Sequence, residues 1–127
     1  AINRKPLDYP ALLERLKDVS TNTGKVFASI KAMLGIRSKQ SAFHPNATQF
    51  TLHLGEEFFG FWRQSIDRSQ SIFAVTNMTP EPREIAAFSL NLIGGDKWRD
   101  ILSGDEISPS GDPVTFRPYQ TRWISNR

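Results

Sequence analysis

Seven carboxylates stand where the chain could gather chemistry: Glu56, Glu57, Asp67, Asp96, Asp100, Asp105 and Glu106. A hydrolytic site needs two of them close together, one as acid and one as base. Nearly all fall in segments rich in Gly, Ser and Gln, where acids solvate a turn or bond to nearby backbone. His44 and His53 are the two histidines, and nothing near them completes a metal set of three or four ligands. His44, before Pro45, reads as a junction residue, and His53 as a polar position of an alternating strand. No nucleophile lies at a recognisable spacing from either. Cysteine is absent, which excludes disulfides and thiolate metal sites. Gly94-Gly95 reads as a turn, since no glycine-spaced loop runs from a strand into a helix to cradle a phosphate. The expectation is that this chain holds no catalytic, cofactor-binding or metal-ligating residue.

Trp62, Trp98 and Trp123 are the sharper candidates. Flat aromatic rings stack on sugar faces, and three of them on one sheet could form a sugar-contacting platform. Trp also serves as a core and interface residue. Core or interdomain contact is the expectation, with the sugar platform as its alternative.

The elements that would position these residues change period partway along. Asp8-Tyr9-Pro10 is a helix start, with Leu12, Leu13, Leu16 and Val19 following at helical spacing. Ser20 to Gly24 interrupts it, and Thr21 or Thr23 can cap a second helix. There Val26, Phe27, Ile30, Met33 and Leu34 form one apolar stripe, with Lys25, Lys31 and Arg37 outside it. After Phe43-His44-Pro45 the period becomes two. Phe50, Leu52 and Leu54 alternate, and Phe58 and Trp62 oppose Phe59 and Phe61. The segment 71–77 is apolar on both faces, as a central strand must be. Residues 84–92 read as a strand with Ala86, Phe88, Leu90 and Leu92 on one side. Shorter strands are expected at 98–102, 113–117 and 120–124. Gly-, Pro-, Asp- and Ser-rich turns separate them, which argues an antiparallel sandwich.

The bulk composition excludes several classes. Sixteen Lys and Arg against 13 Asp and Glu give a net charge of +3, but the signs are interspersed. No basic run marks a nucleic-acid or membrane partner. No basic-then-apolar leader and no apolar run of about 20 residues occurs, so a cytoplasmic location is expected. The triplets Asn46-Ala47-Thr48 and Asn77-Met78-Thr79 are then chance matches to a glycosylation signal.

Several stretches together resemble one known arrangement. Ile2-Asn3-Arg4 is similar to the segment after the last active-site loop of sucrose phosphorylase-like enzymes, which are α-amylase-type members of glycoside hydrolase family 13. Ile36-Arg37 through Ser41-Ala42-Phe43-His44-Pro45 resembles the closing helix of their barrel and its exit. Gln70 to Thr79 resembles the central strand of their C-terminal domain, ending at Asn77. Trp98 to Gly104 and Pro118 to Ile124 resemble that domain's closing hairpin. Gln40-Ser41 departs from the His-Pro common before Ala-Phe, which bears on the subgroup. The resemblance implies a retaining mechanism in the parent enzyme. One carboxylate attacks the anomeric carbon, a second carboxylic acid protonates the leaving oxygen, and phosphate receives the glucosyl group. The resemblance also implies that these carboxylates, and an arginine lining the glucose subsite, precede Ala1.

The expected architecture is therefore mainly β: an antiparallel Greek-key β-sandwich at 46–127, with a helical arm at 1–45 from the end of a TIM barrel. The expected role is non-catalytic: the module stabilises the catalytic barrel of the same polypeptide. The parent substrates would be sucrose or a related α-glucoside and phosphate, with glucosylglycerate and sucrose phosphate as rival donors. A carbohydrate-binding module and a protein-interaction module docking through the arm are the alternatives. Self-association through residues 10–40 is expected of the chain by itself.

Overall fold

The computed structural model describes residues 5–93 and 95–127. The Ile2-Asn3-Arg4 segment and Gly94 of the Gly94-Gly95 turn lie outside the described residues. The chain divides into two units between Ser38 and Lys39.

The first unit is two helices. In α1 (Tyr9–Lys17) the Asp8 carboxylate accepts from Ala11 N–H, and Pro10 occupies the first turn, where its missing N–H costs nothing. In α2 (Asn22–Arg37) it is Thr21 that caps, its hydroxyl accepting from Gly24 N–H at 3.0 Å and donating to Asp18 O at 2.7 Å. Gly24 is buried because the turn between the helices passes directly over it. A Cβ there would stand 2.0 Å from the Asp18 carbonyl oxygen. The apolar stripe is formed as expected, and Val26, Phe27, Ile30 and Leu34 on it are exposed.

The second unit is an antiparallel sandwich. Its larger sheet has the order β1 (Thr48–Thr51), β2 (Phe58–Gln64), β3 (Ser71–Asn77), β8 (Thr121–Ser125), β5 (Trp98–Asp100), β6 (Glu106–Ile107). A smaller sheet pairs β4 (Arg83–Ile85) with β7 (Val114–Phe116). The chain crosses to the small sheet for β4, returns for β5 and β6, crosses again for β7 and ends in β8. That path gives the non-sequential order of a Greek-key sandwich. Between the sheets lies one apolar cluster built on Phe73, Val75, Leu90, Trp98, Val114, Phe116 and Ile124.

Residues Ile72 to Val75 are buried on both faces, as their unbroken apolar run requires. Phe73 and Val75 face the core. Ile72 and Ala74 face the opposite side, which is covered by residues 39–47 with their single 3₁₀ turn Ser41–Phe43. Ala42 is fully buried and the Phe43 ring meets Trp123 edge-on at 4.8 Å. Arg63 ties this strap down, donating to Ala42 O at 2.8 Å and His44 O at 2.6 Å. Residues 39–47 are thus part of the β unit, and the division falls before them rather than at 45/46.

The expected strand over 84–92 is not formed. Pairing stops at Ile85, and Ala87–Leu90 is a 3₁₀ turn ended by Asn91 in the left-handed region at φ 45°. The buried side chains are Ile85, Ala87 and Leu90, a spacing of two and then three, while Phe88 points into solvent. A strand cannot bury that set, and a 3₁₀ turn can.

Candidate functional site

The densest array of buried polar groups sits where the two sheets meet. Asp100 ends β5 with its side chain directed inward and is fully buried. One of its oxygens accepts from Leu102 N–H and Trp123 N–H, both at 3.0 Å. The other accepts from the Ser103 hydroxyl at 2.8 Å and from Arg122 Nη1 at 3.0 Å. Arg122, an inward position of β8, also reaches Asp105 at 2.8 Å and donates through Nε to Thr115 O at 2.8 Å. Its guanidinium lies 5.7 Å from the centre of the Phe116 ring. The Arg122 hydrogen bond, with help from Ser103, holds the Asp105 carboxyl below its ordinary range. Asp100 already accepts four hydrogen bonds, so no lone pair is left to take a proton from a substrate. The array fastens β5, β7 and β8 together.

Two further buried amides act in the same way. Gln70 accepts from the Ser41 hydroxyl and from Ala42 N–H and donates to the Gln40 and Ser125 side chains, linking the strap to the sheet. Asn77 donates to Glu81 O at 2.7 Å and Arg117 O at 3.0 Å and accepts from Thr79, closing the loop after β3.

The other acids are dispersed. Glu57 pairs with Arg83 at 3.0 Å. Asp67 accepts from the Ser65 hydroxyl and from both the amide and hydroxyl of Ser69, which bring its carboxyl down to about 2. Glu56, Asp96 and Glu106 are exposed, as are His44 and His53. Among the described residues no group of three His, Asp or Glu could hold a metal ion, and no helix is long and apolar enough to cross a membrane. A groove of about 580 Å³ beside β5 and β6 is lined by Lys97, Arg99, Glu106, Asn126 and Arg127.

The three tryptophans are not brought together on an open surface. Trp98 is 2% exposed, with its Nε1–H donating to Gly95 O, and Trp123 is 9% exposed beneath Phe43. The Trp62 ring stands between Phe50 on β1, at 4.8 Å, and Phe73 on β3, at 5.5 Å. A sugar-stacking ring needs a flat face in solvent, and none of the three has one. Among the described residues, the buried Trp62 Nε1–H has no hydrogen-bond partner.

The Asp100–Arg122 pair is the feature that residue reading passed over, although Asp100 lay in the strand expected at 98–102. The available signal was Arg122 itself. It alternates with Ile124 on a strand whose inward face is apolar, and a charge at such a position requires a buried partner.

No family model matches the chain. In sequence it is similar to glucosylglycerate phosphorylase of Allomeiothermus silvanus, with 30% identity over 97% of this chain and 19% of that protein. It is also similar to the proteins of the same name from Spirochaeta thermophila (26% identity, 98% of this chain, 22% of that protein) and Escherichia coli (25%, 98%, 21%). The chain therefore spans about a fifth of the length of the curated relatives it matches. In fold it is similar to AmyP in complex with maltose, with TM-score 0.66 at 12% identity over 83% of this chain and 21% of that one. It is likewise similar to the α-glucosyl transfer enzyme XgtA, with TM-score 0.63 at 17% identity over 91% of this chain and 19% of that one. In sequence this chain is thus similar to part of three glucosylglycerate phosphorylases, and in fold to part of AmyP and of XgtA.

Proposed function

We propose that the chain is the non-catalytic β module of a phosphorylase that moves a glucosyl group from an α-glucoside to phosphate, and that it braces the catalytic barrel. The observation that carries this reading is the condition of the buried polar side chains. Asp100, Arg122, Gln70 and Asn77 are bonded to one another's neighbours and to backbone, and none is presented to a ligand. A module of this kind contributes stability and leaves the bond-breaking carboxylates to the rest of the enzyme.

The shared name of the three relatives favours glucosylglycerate over sucrose as the donor. The test is release of glucose 1-phosphate by the full-length protein, supplied with phosphate and either donor. Faster turnover of glucosylglycerate is expected, and faster turnover of sucrose would reverse the donor assignment. The 127-residue chain alone is expected to release none from either, and turnover by it would overturn the non-catalytic role.

A further inference from the structure

Among the described residues, no strand pairs with the outer edge of β1 in the larger sheet. Leu52 N–H donates to Gly60 O at 3.0 Å, one register step past the Thr51–Phe61 pair. In an antiparallel ladder, inward-bonded residues alternate, so Phe50 and Thr48 also turn their amides and carbonyls toward β2. Those of Gln49 and Thr51 therefore point away from the sheet. All four residues of β1 are exposed, and the strand has no charge, no proline and no bulge, the devices that blunt a free edge. On the core side, Phe50 is the outermost of a row of stacked rings that continues through Trp62 to Phe73. It is 45% exposed.

We infer that a second copy of the chain covers this edge, β1 pairing antiparallel with its own counterpart about a two-fold axis at Phe50. Gln49 of one copy then opposes Thr51 of the other, and each such pair exchanges two N–H···O=C bonds. Phe50 opposes Phe50 at a non-hydrogen-bonded position, where cross-strand side chains come closest. The bare face of each ring covers the other, and the aromatic row runs on into the second copy. An unrelated extended peptide would satisfy the backbone but would lack the ring at the matching position. A two-fold contact is also closed, so it ends in a dimer rather than a fibre.

A four-residue strand is a small contact, which makes the dimer a weak one. The experiment uses the full chain carrying Phe27→Glu and Ile30→Glu, so that the helical unit contributes no association. Amide exchange is followed from roughly 10 μM to roughly 1 mM, the range in which a contact of this affinity fills. Slowing of Gln49 and Thr51 by about tenfold, with Thr48 and Phe50 unchanged, supports the dimer. Thr51→Pro removes an outward donor without touching the ladder to β2 and should abolish association in sedimentation. Phe50→Lys, which sets like charges across the axis, should do the same while far-UV circular dichroism and an unchanged cooperative unfolding transition report an intact fold. A chain that stays monomeric at the upper concentration, or whose association survives both variants, overturns the inference.

Discussion

Asp100 and Arg122 show how an interior charge pair concentrates its effect in one residue. Removing one member strands the other in the core, so Asp100→Ala should cost about 3–5 kcal/mol in denaturant unfolding. Asp105→Ala should cost much less, since that carboxylate faces water. Equal losses for the two variants would mean that the buried oxygen contacts are not the stabilising ones. Asp67 gives a pH-dependent counterpart. Its carboxyl is held down to about 2 by the Ser65 hydroxyl and by Ser69. As the medium is acidified, the unfolded chain takes up a proton there before the folded one does. The contribution of Asp67 is complete above the ordinary carboxylate range and is lost as pH falls through that range toward about 2. Urea unfolding over that window should show a shallower decline for Asp67→Asn than for the wild type. Parallel declines would show that the turn does not hold the proton off.

Among the elements, β3 was the most legible in the sequence, because a run apolar on both faces fits only a strand covered on both sides. Its burial predicts that Phe73→Ala costs about 3–5 kcal/mol, the usual penalty for emptying a core Phe site. A change under about 1 kcal/mol would place the ring outside the core. The helix starts were equally plain, since Asp8 and Thr21 are residue types that cap. What escaped reading has a common cause. Period two predicts a strand only while burial also alternates, and at 85–90 the core takes Ile85, Ala87 and Leu90 instead. β6 has two residues, too few to show any period. The strap at 39–47 has no period, because Gln70 and Arg63 hold it largely through its backbone and its buried side chains, Ala42 and Phe43, are adjacent. The turns and the sandwich were legible. The buried Asp100–Arg122 pair was not, since sequence spacing does not reveal which acid a buried arginine on another strand meets.

At the scale of the whole molecule, α2 presents Val26, Phe27, Ile30 and Leu34 to solvent at 44–59% exposure. Each such side chain gains about 1.5–3 kcal/mol on full burial, and a continuous exposed stripe is a drive to associate. The isolated chain is therefore predicted to pair through residues 10–40. Sedimentation should show a larger species for the wild type than for Phe27→Glu, Ile30→Glu, and a wild type that remains monomeric at high micromolar concentration would refute the pairing. The strand order has a different bearing, on how the protein is made. β8, last in the sequence, lies between β3 and β5 in the middle of the larger sheet. A ribosome that has delivered residues up to 120 has supplied the β1–β2–β3 meander and the β5–β6 hairpin, but nothing to join them. Until Thr121–Ser125 emerges, β3 keeps an open apolar edge, the kind of surface that chaperones hold and aggregates grow from. Synthesis that stops before residue 121 would leave two halves of a sheet with no seam.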